Sequence, residues 1–327
     1  MDNKDYIKLE NMPKVELHVH LDGSLNINSL ARENNIPIEE LNKKMMADET
    51  CNNLNDYLEK FDYPISILQT KEALDNAIYE LVFSLKQQNI IYAEIRFAPA
   101  FHTKEGLTQE EVVQAVVKGL SRYDNNYNLI LCCMRNLDLT TNKETIDIAR
   151  KYLGHKVCAV DLAGAEALYP TENYGELFEY AKENRVPFTI HAGEADGPLS
   201  VESALNFGAK RIGHGVRSIE DRNLLDKIIT NNITLEVCPT SNIQTRVVKD
   251  IFSHPIYELY KLGAKVTINT DNMTVSNTNL LKEYIKLKKA FDLNLEDFKI
   301  MNINSINAAF ISQQQKDELI KEIEKYN

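Results

Sequence analysis

The sequence predicts an α/β fold, a closed (β/α)8 barrel, and three observations support this prediction. Short β-branched runs recur along the whole chain, and they number eight. Segments with helical spacing of apolar residues separate them, without a linker rich in glycine, proline or serine. The chain lacks the GxGxxG and Walker A patterns typical of nucleotide-binding doubly wound sheets. We therefore expect a single barrel domain over residues 1–327.

The elements follow in chain order. The expected strands are residues 15–21, 90–98, 129–134, 157–162, 187–191, 211–214, 233–238 and 265–270. Between the second and third strands, for example, Val112, Val116 and Leu120 have the spacing of a helix. Extra helices are expected in two places. Residues 25–88 contain several helical segments and a polar stretch where we expect a lid, and residues 280–290 and 295–325 are expected to close the carboxyl end.

Composition limits the partners and the compartment. The chain has 37 basic and 48 acidic residues, a net charge of −11 that disfavours nucleic acid and anionic lipid surfaces. No apolar run has the length of a membrane span or a secretory signal, and Glu94 and Arg96 interrupt the most apolar region. The five cysteines include no CxxC pair. We expect a cytoplasmic protein with reduced, buried cysteines and no nucleic-acid or membrane partner.

Two histidines share one face of the first expected strand. His18 and His20 are separated by one residue, so both imidazoles point the same way, towards the barrel interior. Buried imidazoles need polar partners or a cation, and neutral imidazole is a common metal ligand. HxH pairs also occur by chance, so the pair alone does not define a metal site.

Two further ligand-type residues end other strands. His191 ends the fifth strand and Asp271 follows the eighth. Parallel barrel strands present their carboxyl ends to one face, so His18, His20, His191 and Asp271 should converge. Three nitrogens and one oxygen suit a single zinc ion with a position left for water. Taken alone, Asp271 could instead cap the next helix.

Glu194 and His214 fall on the same face of the expected barrel. A glutamate beside metal ligands can carry protons, and a neighbouring histidine can orient or deprotonate water. Considered separately, Glu194 could be a solvated loop carboxylate and His214 a hydrogen-bonded core histidine. Their place beside the four ligand candidates favours catalytic roles.

Six segments in order resemble the adenosine deaminase family of the amidohydrolase superfamily. They are residues 12–24 (MPKVELHVHLDGS), 160–166 (VDLAGAE), 191–194 (HAGE), 211–215 (RIGHG), 238–242 (CPTSN) and 269–272 (NTDN). The resemblance covers essentially the whole chain. It implies a zinc-dependent barrel that hydrolyses the 6-amino group of adenosine or 2′-deoxyadenosine, releasing ammonia and forming inosine or deoxyinosine.

The resemblance also assigns roles to individual residues. It implies zinc ligation by His18, His20, His191 and Asp271. Glu194 matches the acid that protonates purine N1, and His214 matches the residue that orients and helps deprotonate the attacking water. Protonation of N1 is chemically reasonable, because attack at C6 breaks aromaticity unless N1 gains a proton. The other zinc deaminase design requires a PCxxC motif, which this chain lacks.

Four substrate contacts follow from the same resemblance. Gly164 matches the glycine whose backbone N–H meets purine N3, and Asp22 matches the carboxylate that holds the ribose 5′-hydroxyl. Phe61 is our choice for contact with the nucleoside from an apolar lid. It belongs to a helical stripe for which core packing is the more general expectation, namely Leu58, Phe61, Ile65 and Leu68.

Asn272 departs from the animal members of the family, which have two consecutive aspartates at this place. The resemblance implies that this position faces purine N7, an acceptor, so a carboxylate there must be protonated to donate. A neutral amide donates at any pH. Bacterial members resemble this chain more closely here. We therefore expect Asn272 to donate to N7, or otherwise to cap the helix after the eighth strand.

Four alternatives stay open from the sequence. An adenine deaminase would share the metal residues but have no ribose for Asp22 to hold, and a deaminase of a modified adenine nucleoside would share the whole pattern. A two-metal phosphoesterase would be expected to carry a bridging lysine on the fourth strand, and residues 157–164 contain none. A protein that only binds purine or zinc would not need Glu194 and His214.

Overall fold

The protein, seen here in a computed structural model, is described over residues 3–48 and 51–326. All eight expected strands form, and the predicted barrel fold is confirmed. Their bounds are β1 Lys14–His20, β2 Ile90–Phe97, β3 Tyr127–Met134, β4 Val157–Ala163, β5 Ile190–Ala192, β6 Arg211–His214, β7 Thr234–Val237 and β8 Lys265–Ile268. The fifth strand begins later than expected, because residues 187–189 make only an isolated bridge to β4.

The barrel consists of two parallel four-stranded sheets, β1–β4 and β5–β8. One isolated bridge joins Val160 to Phe188, and another joins Val19 to Asp271. At the second junction the amide of His20 donates to the carbonyl of Asp271 over 2.7 Å. Closure therefore brings the end of β1 against the residues that follow β8.

Helices surround the barrel. Those before β2 are α1 Asn3–Asn11, α2 Ile27–Asn34, α3 Ile38–Met45, α4 Leu54–Leu58, α5 Asp62–Ile67 and α6 Lys71–Gln87. Those between β2 and β8 are α7 Gln109–Leu120, α8 Leu139–Tyr152, α9 Gly175–Glu183, α10 Pro198–Asn206, α11 Arg222–Thr230, α12 Pro239–Gln244 and α13 Ile256–Lys261. The last are α14 Leu280–Phe291, α15 Leu295–Ala308 and α16 Gln313–Lys325. None of the helices in the described part of the chain is both long and apolar enough to cross a membrane.

The carboxyl-terminal helices differ from the expectation in one respect. The sequence suggested helix throughout residues 295–325, but the structure breaks it between α15 and α16. In the break, the amide of Phe310 donates to the buried Glu94 carboxylate over 2.7 Å. Ser312 then caps α16 by accepting from the amide of Gln315. A tertiary contact with the barrel ends the helix, which local periodicity cannot reveal.

Candidate active site

The four expected metal ligands lie together at the carboxyl end of the barrel. His18 and His20 belong to β1, His191 belongs to β5, and Asp271 lies three residues beyond β8. Their candidate ligand atoms are all within 4.8 Å of one another. Asp271 Oδ1 is 3.5 Å from His18 Nε2 and 3.4 Å from His20 Nε2. The structure therefore provides a group of residues able to hold a metal ion.

The chemistry of this group fits zinc. His18 Nε2 is buried and has no hydrogen-bond partner among the described residues, and such an atom is costly unless a cation or donor meets it. Three imidazoles and one carboxylate are a suitable donor set for a catalytic zinc site. Asp271 does not cap a helix, because α14 begins at Leu280 and is capped by Asn279.

Two buried carboxylates contact the far nitrogens of the ligand histidines. His18 Nδ1 is 3.0 Å from Glu236 Oε2, and His191 Nδ1 is 2.8 Å from Asp161 Oδ2. Arg96 bridges the two carboxylates, at 2.7 Å from Asp161 and 2.8 Å from Glu236. Such contacts fix the ring orientation and leave Nε2 directed at the metal position. These three residues have no role in the site predicted from the sequence, although charges inside apolar strands indicate buried pairing.

Glu194 is buried beside His214. Its Oε1 accepts from the Thr245 hydroxyl over 3.1 Å, and its Oε2 is 3.5 Å from His214 Nε2. Burial raises the pKa of Glu194 well above its ordinary value, and the charges of Asp271 and Glu166 add to this effect. The site therefore favours the protonated carboxyl that a general acid needs.

The Glu166 carboxylate holds the loop that carries Glu194. It accepts from the backbone amides of Gly193, Glu194 and Asp196 over 2.6, 3.0 and 3.0 Å. The hydroxyl of Ser200 also donates to it. From the sequence, Glu166 is only the last residue of the 160–166 segment. No local signal identifies its partners, because the amides of Gly193 and Asp196 lie 27 and 30 residues away.

A cavity of about 360 Å³ adjoins the metal group and Glu194. The expected substrate-binding residues all line it: Asp22, Phe61, Gly164 and Asn272. Gly164 has a φ of 108°, in the region that favours glycine. Burial raises the pKa of Asp22 to about 7. The structure brings these residues together, and their individual roles stay predictions.

The apolar stripe covers this cavity. Leu58, Phe61 and Ile65 line it, and only Leu68 is buried in the core. The expectation of core packing was therefore wrong for Leu58 and Ile65. The reason is that α4, a short turn over residues 59–61 and α5 carry the stripe across the mouth of the barrel. The Phe61 ring lies edge-on to His20, with centroids 6.4 Å apart.

Asn272 is buried at the edge of the cavity. Its Oδ1 has no hydrogen-bond partner among the described residues. A Cβ atom at Gly23 would collide with this amide, so glycine is required there. Because Asn279 caps α14, the alternative role of Asn272 as the cap of that helix is wrong.

The fold and the site together define a class of protein, a (β/α)8-barrel hydrolase with a candidate metal site. The family model described as adenosine deaminase matches residues 13–326. The chain belongs to the adenosine deaminase family.

Relatives and solved structures agree with this membership. An adenosine deaminase from Haemophilus ducreyi is 43% identical over 327 residues, with 95% of each chain covered. One from Clostridium botulinum is 40% identical, with 97% of this chain and 99% of the relative covered. The solved structure of an adenine deaminase from Arthrobacter aurescens has a TM-score of 0.86 at 25% identity, and the match covers 96% of this chain and 99% of that one.

Proposed function

We propose that this chain hydrolyses adenosine and 2′-deoxyadenosine to inosine or deoxyinosine and ammonia, with one zinc ion per chain. The observation that carries the proposal is the buried Glu194 carboxyl, whose pKa is raised by burial and which lines the same cavity as His20, His191 and Asp271 of the candidate metal group. A protein that only bound zinc or purine would not need this proton donor. Membership in the adenosine deaminase family supports the same reaction.

His18, His20, His191 and Asp271 would hold the zinc. A zinc ion with an open coordination position makes water a nucleophile near neutral pH. Glu194 would donate its proton to purine N1 as the water oxygen adds at C6, so that the ring does not accumulate negative charge. The C6–N bond then breaks; of the two water protons, one leaves on the amino group as ammonia and the other restores the Glu194 carboxyl. His214, whose Nε2 lies 3.5 Å from Glu194, would orient the attacking oxygen.

The remaining cavity residues would bind the nucleoside. Asp22 would accept from the ribose 5′-hydroxyl, the backbone N–H of Gly164 would donate to N3, and Asn272 would donate to N7. Phe61 would cover the nucleoside and exclude bulk water, which strengthens every electrostatic interaction inside the cavity. The three polar assignments each pair one polar group of the protein with one purine or ribose atom.

The decisive experiment follows the ultraviolet change when zinc-loaded protein meets adenosine, 2′-deoxyadenosine or adenine. We expect turnover of both nucleosides and very slow turnover of the free base. A preference for adenine would favour the alternative of an adenine deaminase, and a preference for an N6-substituted nucleoside would favour a deaminase of modified adenines. No turnover of any of them would contradict the proposal.

AMP should be a very poor substrate. Its phosphate would lie close to the Asp22 carboxylate, and two anions in one buried pocket repel strongly. We expect kcat/KM for AMP to be lower than for adenosine by on the order of 100-fold or more. Because the pKa of Asp22 is about 7, the anionic fraction grows with pH, and discrimination should increase as pH rises through that value.

The matched control is Asp22→Asn, which keeps the shape and removes the charge. It should weaken adenosine binding and reduce the discrimination against AMP at high pH. Equal turnover of AMP and adenosine by the native chain would refute the assignment of Asp22.

A purine without N7 should bind less tightly. In 7-deazaadenosine a carbon replaces the acceptor, which would leave the Asn272 donor unpaired in a buried site, at a cost of about 1–3 kcal/mol. The kcat/KM values of 7-deazaadenosine and adenosine measure the difference. Asn272→Ala should abolish most of it, and an undiminished difference in that variant would exclude the contact.

Asn272→Asp gives a second measure of the same contact. A carboxyl can donate to N7 only when protonated, so this variant should bind a nonreacting purine nucleoside more weakly as pH rises through the pKa of the new group. The native amide should lack that component. Superimposable pH profiles would mean that Asn272 does not face N7.

A cytoplasmic location and a single domain over residues 1–327 are further parts of this proposal.

A further inference from the structure

Three consecutive hydrogen bonds lead from a backbone amide to the ring of His214. They begin at the first residue of α13, where the amide of Ile256 donates to His254 Nδ1 over 3.1 Å. His254 Nε2 lies 3.4 Å from Asn242 Oδ1. Asn242 Nδ2 lies 3.1 Å from His214 Nδ1. His254, Asn242 and His214 are all buried, so water does not substitute for these partners.

The direction of each bond follows from the first. A backbone amide can only donate, so His254 Nδ1 must accept and carry no proton. Burial lowers the pKa of His254 to about 3, and a neutral ring without a proton on Nδ1 carries it on Nε2. His254 Nε2–H therefore donates to Asn242, and the atom that receives this bond is the amide oxygen.

The orientation of the Asn242 amide then determines the proton position on His214. With Oδ1 facing His254, the NH2 group faces His214 Nδ1 and donates to it. A ring nitrogen that accepts carries no proton, so the proton of the neutral His214 ring is on Nε2. The same NH2 group lies 3.4 Å from Glu194 Oε1, which is also an acceptor.

The opposite orientation of Asn242 is unfavourable. Rotating the amide by 180° would place its NH2 group against the His254 N–H, so that two buried donors would face each other. It would also place the amide oxygen against Glu194 Oε1. Leaving a buried donor or acceptor unsatisfied costs about 1–3 kcal/mol. The His254 contact thus selects one of the two orientations.

We propose that Asn242 and His254 are positioning residues that fix His214 as the Nε2–H tautomer. This inference deepens the proposed function and rests on the catalytic role assigned there to His214. Nε2 is the nitrogen on the Glu194 side of the ring, 3.5 Å from Oε2, and the His214 ring also packs against those of His18 and His191. His214 therefore presents a hydrogen-bond donor to the reacting centre.

The Nε2–H donor of His214 can orient the attacking oxygen but cannot deprotonate it. The Nε2–H group can donate to a lone pair of the attacking oxygen and so orient it towards C6. The same nitrogen has no lone pair free to accept a proton, so this tautomer does not act as the general base. The family resemblance had implied both orientation and deprotonation, and the hydrogen-bond pattern supports the first.

Nitrogen-15 NMR tests the tautomer directly. Long-range proton–nitrogen correlation spectra of the zinc-loaded protein distinguish Nδ1–H from Nε2–H rings, and the chain has only seven histidines to assign. We expect His214 to show a protonated Nε2. A protonated Nδ1 on His214 in the native chain would overturn the proposal, and this result depends on neither the folding of a variant nor deaminase activity.

Two substitutions of His254 separate positioning from mere structural support. His254→Gln can still reach Asn242 with an N–H donor, and we expect it to keep the native tautomer and a kcat close to that of the native chain. His254→Asn can satisfy the Ile256 amide but is too short to reach Asn242. It should yield Nδ1–H or mixed tautomers on His214 and lower kcat by about tenfold or more, with KM and zinc content unchanged.

Other outcomes decide against the proposal. An equal loss of kcat in both variants, with His214 still in its Nε2–H form, would show that His254 is only structural. Unchanged kcat and an unchanged tautomer in His254→Asn would show that the hydrogen bonds through His254 and Asn242 do not control the proton position on His214. Failure of the native chain to deaminate any adenine compound would defeat the proposed function alone, because the tautomer is measured independently.

Discussion

Glu194→Gln should fold, bind zinc and lose most of its activity. Glutamine keeps the size of the side chain and its contact with Thr245, but an amide cannot deliver a proton to N1. General acid–base groups contribute roughly 10²–10⁴ in rate, and we expect a loss of kcat in that range. Steady-state kinetics with adenosine, together with zinc content, measure it.

The pH profile gives the control for this variant. Because burial raises the pKa of Glu194, the active protonated form persists to a higher pH than in an exposed glutamate and is lost as pH rises through the raised pKa. The native rate should therefore fall on the alkaline side, and that component should be missing in Glu194→Gln. Binding of a nonreacting purine nucleoside should change little. A loss of kcat smaller than about tenfold would refute the role of general acid.

His18→Ala should lose the metal ion and, with it, catalysis. Even removal of a group that only contacts a ligand typically costs about 10–100-fold in metal affinity, so loss of a ligand should cost more than about 100-fold. The substitution also leaves the buried Glu236 carboxylate without its imidazole partner. Zinc per chain after dialysis, the affinity for added zinc and the melting temperature with and without zinc are the measurements.

His155→Ala is the matched control, because His155 is exposed and belongs to no metal group among the described residues. It should bind one zinc ion per chain and keep native activity. Addition of zinc should raise the melting temperature of this control and of the native chain, because a ligand that binds only the folded state stabilises it. Stoichiometric zinc and full activity in His18→Ala would show that the metal group is wrongly assigned.

The barrel could be predicted because each strand is a short, buried, β-branched run between turn signals. Convergence of His18, His191 and Asp271 followed from the barrel itself, since its parallel strands all end at one face. The break between α15 and α16 could not be predicted, because the buried Glu94 carboxylate that captures the Phe310 amide lies 216 residues away in sequence. Local periodicity contains no information about that partner.

The supporting residues of the site were harder to find than its ligands. Asp161 and Glu236 contact the far nitrogens of His191 and His18, and in the sequence they are single polar residues within buried strands. Their residue types indicate that a partner exists, but not which one, because that depends on the register between neighbouring strands. The cavity-lining positions of Leu58 and Ile65 could not be predicted either, because an apolar helical stripe has the same sequence pattern whether it packs against a core or covers a ligand.

The junction between β8 and β1 has a consequence beyond catalysis. His18, His20 and Asp271 lie at this junction. The fourth proposed zinc ligand, His191, lies in β5, the first strand of the second sheet. A bound ion would connect the sheets β1–β4 and β5–β8, which share only one isolated backbone bridge at each junction in the described part of the chain. Depletion of zinc would then loosen the fold as well as stop the reaction, and the cellular lifetime of the protein would follow the supply of metal.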